Sequence, residues 1–277
     1  MKNKSSELIV FIHVPKTAGN TLMTAFSQNY LFNKITTHYP SLADATIEQS
    51  IETWVNSHQE NILKSDMLFG HFAYGIHEFF PEKRNIRYAT MLRHPVARTI
   101  SFYYFAQRYP SHYLHKEANA MSLLDFINAD FLYGELTNGQ TRLLAGYQAI
   151  NSTVCSEEDY QLAVAHLNSM RAVGIQEKFD ESLLVFKQKL GLSNCFYTPK
   201  NVARKKNSID DAVRERIIEL NQFDMKLYDM SLNRMSKDIL EIEDFEKSLR
   251  TMRKWNRVVG KIGAPFMDIF CRLAVRN

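Results

Sequence analysis

The sequence predicts an α/β fold, a parallel sheet with helices on both faces and a helical C-terminal extension. Three observations carry that expectation. Strand-like apolar runs alternate with helix-like stretches along most of the chain. The first such run passes through a tight polar turn straight into a helix. The composition, 45% hydrophobic and 23% charged over 277 residues, is that of a globular protein with one α/β domain carrying insertions, or two small domains.

The strand-like runs lie at 8–12, 67–69, 87–92 and 172–175, each bounded by polar or turn residues. Helix-like stretches fall at 19–29, 46–58, 95–107, 157–170 and 180–190. Alternation of this kind implies parallel pairing, because each crossover must return over the sheet, and ligands then bind beyond the carboxyl ends of the strands. Downstream, 209–220 and 224–255 read as helices that complete a domain spanning 1–255, followed by a basic amphipathic tail at 256–277. No repeat or Gly/Ser-rich linker divides the chain.

Net charge is +4, from 34 basic and 30 acidic residues. The excess sits at the end, where Arg250, Arg253, Lys254, Arg257, Lys261, Arg272 and Arg276 face only Asp268. The remainder is slightly acidic, which argues against a broad nucleic-acid face and for local anion sites or a basic tail. That tail reads as a helix packed on the domain or, alternatively, as a segment making peripheral membrane contact. Cys155, Cys195 and Cys271 have no CxxC spacing, so neither disulfides nor a zinc site are expected. The five apolar residues at 8–12 are too few for a signal segment or a membrane span, and a cytoplasmic, reducing location is expected, with membrane association through the tail.

The turn after the first strand reads Pro15-Lys16-Thr17-Ala18-Gly19-Asn20-Thr21. It places free backbone N–H groups and a helix amino terminus where an anion is stabilised. Lys16 adds a full charge, Thr17 and Thr21 offer hydroxyls, and Gly19 allows close approach of the main chain. Because the lysine precedes the glycine, this is neither a Walker A loop nor a G-x-G-x-x-G dinucleotide turn. A second strand end, Arg93-His94-Pro95, leads into a helix carrying Ser101. Arg93 suits a forked phosphate contact, so the two turns predict two anion sites for one ligand with phosphates at both ends of a nucleoside.

The segments 11–21 (FIHVPKTAGNT) and 92–101 (LRHPVARTIS) resemble the 5′-phosphosulfate loop and 3′-phosphate motif of the PAPS-dependent sulfotransferases, most closely the carbohydrate branch that includes heparan sulfate 2-O-sulfotransferase. Weaker similarity continues at 137–146 and 174–179, so the resemblance covers roughly residues 8–230 in order. It implies a P-loop-like sheet, with PAPS as sulfate donor, PAP as product and no metal. It further implies that Lys16, Thr17, Ala18, Gly19, Asn20 and Thr21 hold the 5′-phosphosulfate, that Arg93 and Ser101 hold the 3′-phosphate, and that the basic loop with Arg204 and Lys205 closes over the nucleotide.

Sulfuryl transfer needs a cation at the leaving oxygen and a base for the acceptor hydroxyl. Lys16 is the natural cation. Of the nine histidines, His71 ends a strand in Phe69-Gly70-His71 and resembles the catalytic histidine position of the 2-O branch. His77 is the second candidate for the base or for acceptor contact, and His13 reads as a core or edge residue. Arg142 is placed against an anionic acceptor or an acid such as Glu177. Phe102, Tyr103, Tyr104 and Phe105 read as packing residues. The expected function is transfer of sulfate from PAPS to a hydroxyl of a saccharide or glycoconjugate, without nucleic-acid partners. The alternatives are a non-catalytic nucleotide-binding module and an ATP-dependent small-molecule kinase.

Overall fold

The computed structural model describes residues 7–30, 34–39, 47–80, 84–129, 133–197, 209–262 and 273–276. In chain order the elements that build the sheet are β1 (Glu7–Ile12), α1 (Gly19–Ser27), β2 (Ile35–His38), α2 (Ile47–Ser57), α3 (Gln59–Lys64), β3 (Met67–Gly70) and β4 (Asn85–Leu92). A long helical insertion follows: α4 (Pro95–Arg108), α5 (His115–Ala120), α6 (Leu123–Ile127), α7 (Tyr133–Leu136), α8 (Gly139–Ala145), α9 (Tyr147–Asn151) and α10 (Glu157–Ser169). The chain then returns through β5 (Ala172–Ile175) and continues as α11 (Phe179–Leu190), α12 (Asp211–Leu220), α13 (Gln222–Leu240), α14 (Phe245–Ile262) and β6 (Val275–Arg276).

The strand order is β5-β4-β1-β3-β2-β6, parallel throughout. The expected α/β architecture, with helices on both faces of a P-loop-like parallel sheet, is what the chain forms. Period-two alternation explains how β1 serves both faces. Leu8, Val10 and Ile12 join one core with Leu68, Leu92 and residues of α2, α8, α10 and α13. Ile9 and Phe11 join the other with Phe69, Met91 and residues of α1, α11 and α14. Phe11 stacks on Phe69 at 5.0 Å and meets Phe26 edge-on at 5.2 Å, which ties α1 to the sheet centre. A third core gathers Val96, Phe102 and Tyr103 of α4 with Leu114, Phe126 and Ile217.

Three features differ from the sequence expectation. β2 and β6 were not anticipated, β2 being four residues of mixed polarity and β6 only two residues long. The single helix expected at 224–255 is two, α13 and α14, parted where Asp244 takes a left-handed φ of 50°. The boundary expected at 255 falls inside α14, and Val275 and Arg276 of the tail pair with β2.

Candidate functional site

Three neighbouring strands, β4, β1 and β3, end on one edge and deliver three loops to it. The loop after β1 folds back on itself: Thr17 Oγ1 donates to the Val14 carbonyl at 2.8 Å, and Lys16 and Ala18 both take positive φ, 74° and 65°. Left-handed residues interleaved in this way turn successive N–H groups toward one concavity, and their strain suits a ligand site. Pro15 and Lys16 form a hydrogen-bonded turn; among the described residues the amides of Ala18, Gly19 and Asn20 donate to no protein acceptor, and α1 begins without a side-chain cap or an acid in its first turn. Such a terminus suits an anion.

The loop after β4 is built to match. Pro95 opens α4, which also lacks a side-chain cap and first-turn acids. The Arg93 guanidinium donates through Nη1 to the Lys16 carbonyl at 2.9 Å, so the two loops touch and line one cleft. Behind it, fully buried Gln140 clamps the Arg93 backbone from both sides, accepting from its N–H and donating to its carbonyl at 2.9 Å each. Gln140 is itself held at the start of α8, where Asp224 accepts from the amides of Gln140 and Thr141 and from the Thr141 hydroxyl. Glu177 closes the rear: it lies 3.8 Å from Arg93 Nε and accepts from the His94 amide and the Tyr228 hydroxyl. Ser101 lies half-buried in mid-α4.

Lys16 carries its ammonium 3.6 Å from the centroid of Phe105, a face-on cation–π contact. Burial, together with Arg93 and Arg108, lowers its pKa to about 8. Three cations crowd this cleft, with Glu177 as the neighbouring carboxylate.

On the other side of β1, His71 follows β3 with its amide bonded to the His38 carbonyl at 3.0 Å. Its ring stands 5.0 Å from that of His13 and 4.9 Å from that of Tyr39. Burial, then His38 and Lys16, lower the His71 pKa to about 4, so the ring is neutral at pH 7. His13 is also buried, neither ring nitrogen has a hydrogen-bond partner among the described residues, and burial followed by His71 and Lys16 holds it well below the usual imidazole range. Gly19 is required by this ring, since a Cβ there would stand 2.0 Å from His13 Nε2. The glycine read as admitting a ligand thus admits His13.

Lys16, Thr17, Ala18, Gly19, Asn20, Thr21 and Arg93 therefore converge on one edge, and His71 reaches it from β3. Thr17 is fully buried with its hydroxyl proton committed inside the loop. Two expectations need correction. Arg142 is fully buried and donates to the carbonyls of Thr137, Ala149, Ser152 and Thr153, so its charge organises α8 and α9 and meets neither an acceptor nor Glu177. His77 is tied through Nδ1 to the Tyr88 hydroxyl at 2.7 Å, four residues short of the β4 end, and is held away from the loops. Arg204 and Lys205 lie outside the described residues. Sequence reasoning assigned no role in this site to His13, Phe105, Gln140 and Glu177, although Gln140 and Glu177 lie in the similar segments 137–146 and 174–179 and His13 precedes the turn by two residues.

Residues 4–231 match the family model described as the sulfotransferase family. The chain is similar to heparan-sulfate 6-O-sulfotransferase 3 of Mus musculus, 26% identical over 278 residues, covering 82% of this chain and 57% of the relative. It is likewise 25% identical to heparan-sulfate 6-O-sulfotransferase 2 of Gallus gallus over 289 residues, covering 82% and 66%. The chain thus spans little more than half the length of the mouse relative, and these relatives are 6-O enzymes where the motifs pointed to the 2-O branch. Among solved structures, a sulfotransferase from Alicyclobacillus acidocaldarius aligns with TM-score 0.45 at 12% identity over 82% of this chain and 95% of that one. Mouse sulfotransferase SULT7A1 complexed with PAP aligns with TM-score 0.39 at 16% identity over 80% and 66%. Since the family model spans most of its length, the chain belongs to the sulfotransferase family.

Proposed function

We propose that this protein transfers the sulfuryl group of PAPS to a hydroxyl of a saccharide or glycoconjugate, releasing PAP. The observation that carries the reading is the Arg93 Nη1 bond to the Lys16 carbonyl, which joins two uncapped, acid-free helix termini in one cleft. A nucleotide with phosphates at both ends suits that pair, whereas the single polyphosphate of ATP does not. The amides of Ala18, Gly19 and Asn20 with Thr21 bind the 5′-phosphosulfate, and Arg93 with Ser101 binds the 3′-phosphate. His71 accepts the proton of the acceptor hydroxyl as the new S–O bond forms, and Lys16 neutralises the charge left on the 5′-phosphate as the bridging bond breaks. The free-protein pKa of about 4, set mainly by burial, leaves the His71 ring neutral and able to accept; an anion beside Lys16 offsets that lysine's lesser contribution and raises the imidazole in part. His13 lies against His71 and keeps that ring in place.

The test compares ligands and variants. PAP is expected to raise the unfolding temperature well above the effect of ATP with Mg²⁺; stabilisation by ATP-Mg²⁺ alone would sink the proposal in favour of a kinase. Arg93→Ala is expected to weaken PAP far more than adenosine 5′-phosphosulfate, which lacks the 3′-phosphate. His71→Ala retains PAP and loses most transfer of labelled sulfate to a panel of polysaccharides, oligosaccharides, glycolipids and small alcohols. PAP binding without turnover by the unaltered protein on that panel identifies a binding module.

A further inference from the structure

The second half of α14 is a feature the donor cleft does not use. In its first half Leu249 and Met252 are buried in the core shared with α11, and Arg253 pairs with Asp180 at 2.8 Å and Glu181 at 3.1 Å. Beyond that point the apolar side is uncovered: Trp255 is 50% exposed and Val258 42% exposed. Three residues apart on a helix, they share one stripe. Arg250, Lys254 and Arg257 follow one another at helical spacing along the flank of that stripe, all exposed and without a carboxylate partner among the described residues. Glu246, in the first turn, is the helix's only acid. A groove of about 340 Å³ between α11 and α14 extends the apolar edge inward, lined by Leu184, Phe196, Met252 and Trp255 with Lys187 and Lys247.

We propose that this half-helix docks on an anionic membrane surface, with Trp255 and Val258 entering the boundary between headgroups and acyl chains and Arg250, Lys254 and Arg257 meeting the headgroups. Charge complementarity selects the occupant: an anionic bilayer satisfies the unpaired cations and the exposed indole together, whereas a soluble polyanion satisfies the cations alone. No described helix is long and apolar enough to cross a membrane, so the contact is peripheral. Its position gives it a use. Asp180, which holds Arg253, follows by three residues the Glu177 that faces Arg93, so α14 is tied to the strand-end edge that carries the cleft. Docking through α14 brings that edge close to the bilayer, where a membrane-borne acceptor is displayed. The inference does not depend on the identity of the acceptor.

The test sediments the full chain with phosphatidylcholine vesicles prepared with and without a fraction of phosphatidylglycerol, and reads tryptophan emission in parallel. Binding is expected only with phosphatidylglycerol, accompanied by a blue shift that Trp255→Phe removes. Trp54, the other tryptophan, is packed at 4.6 Å from His38 and 5.6 Å from Phe72 and does not report on lipid. Lys254→Gln with Arg257→Gln is expected to weaken binding roughly thirtyfold, about fivefold for each cation removed. Val258→Asp, at an exposed position, is expected to weaken it comparably while leaving the unfolding temperature unchanged. The proposal is overturned if the unaltered protein stays in the supernatant with anionic vesicles. It is equally overturned if the protein binds them with its emission unmoved, the signature of a charge-only polyanion contact. The emission of the unaltered protein decides between these outcomes even where a variant fails to fold.

Discussion

Replacing Gln140 by leucine tests whether the Arg93 side of the cleft, the proposed 3′-phosphate contact, is held from behind. The side chain is fully buried and makes two bonds of 2.9 Å to the main chain of Arg93, one as acceptor and one as donor. Leucine occupies similar space, so cavity formation is a minor contribution and the loss is polar. Each bond contributes about 1 kcal/mol net, and each backbone group left without a partner in part-buried surroundings adds about as much again, giving roughly 2–4 kcal/mol in all. For a chain of this size that corresponds to a fall in unfolding temperature of roughly 5–12 °C. With the Arg93 backbone released, PAP affinity measured by titration calorimetry, well below the variant's unfolding transition, is expected to drop at least about tenfold, equivalent to some 1.4 kcal/mol. Gln140→Glu keeps the acceptor for the Arg93 amide but sets an oxygen against its carbonyl, so it also destabilises. An unfolding temperature and PAP affinity both equal to those of the unaltered protein in Gln140→Leu would refute the clamp.

Gly19→Ala forces a methyl to within 2.0 Å of His13 Nε2 and is expected to destabilise the fold by about 1–3 kcal/mol in urea titrations. If the clash is the cause, His13→Ala relieves most of that penalty in the double variant; additive losses would disprove the pairing. The Lys16 pKa of about 8 predicts that PAP affinity is level from about pH 7, where its phosphates are fully charged, up to that value and falls up to tenfold per unit above it, as the lysine loses its charge in the free protein and must regain it to bind. Lys16→Arg should remain level across pH 8–10. His71 and His13 both titrate below their unfolded value near 6.5. Folding stability is therefore complete above that pH and declines as pH falls toward 4, because the unfolded chain takes up protons that the native rings refuse. His71→Asn should flatten part of that decline in urea titrations across pH 4–7.

What could be read from the chain before its structure was known divides by distance along the sequence. β1, β3, β4 and β5 are legible because a buried parallel strand is a short apolar run between turns. β2 is not, since Ile35-Thr36-Thr37-His38 is four residues of mixed polarity whose strand character comes from pairing with β3. Lys16 and Arg93 are legible for a related reason: a strand, a turn and a helix make an anion site out of one contiguous segment. Gln140, Glu177 and Phe105 join the candidate site only through partners 47, 84 and 89 positions away, counted as 140 minus 93, 177 minus 93 and 105 minus 16. Phe105 sits among packing residues in the sequence, and Phe102 and Tyr103 do pack; only the end of α4 approaching the β1 loop sets it apart. Arg142 shows the reverse error. A conspicuous cation beside a motif was assigned a ligand, while the chain had assigned it four carbonyls.

The strand order explains why Arg93 and His71 fall on opposite sides of one lysine. With β1 between β4 and β3, the loop after β1 is flanked by Arg93 on one side and His71 on the other, and Lys16 stands between them. The same arrangement sets the electrostatics. Arg93 and Arg108 repel the Lys16 ammonium, burial strips its water, and Phe105 gives back part of the lost stabilisation through its ring face. A lysine held in that balance gains more from an incoming phosphate than one already paired with a carboxylate, because no ion pair has to break first. Burial is the main cause that keeps the imidazoles neutral, and an anion beside Lys16 relieves only the least of the contributions that lower them. In the proposed reaction, one binding event firms the Lys16 charge and eases a minor part of what lowers the His71 pKa. Both follow from placing a cationic loop between an arginine-bearing strand and a histidine-bearing one.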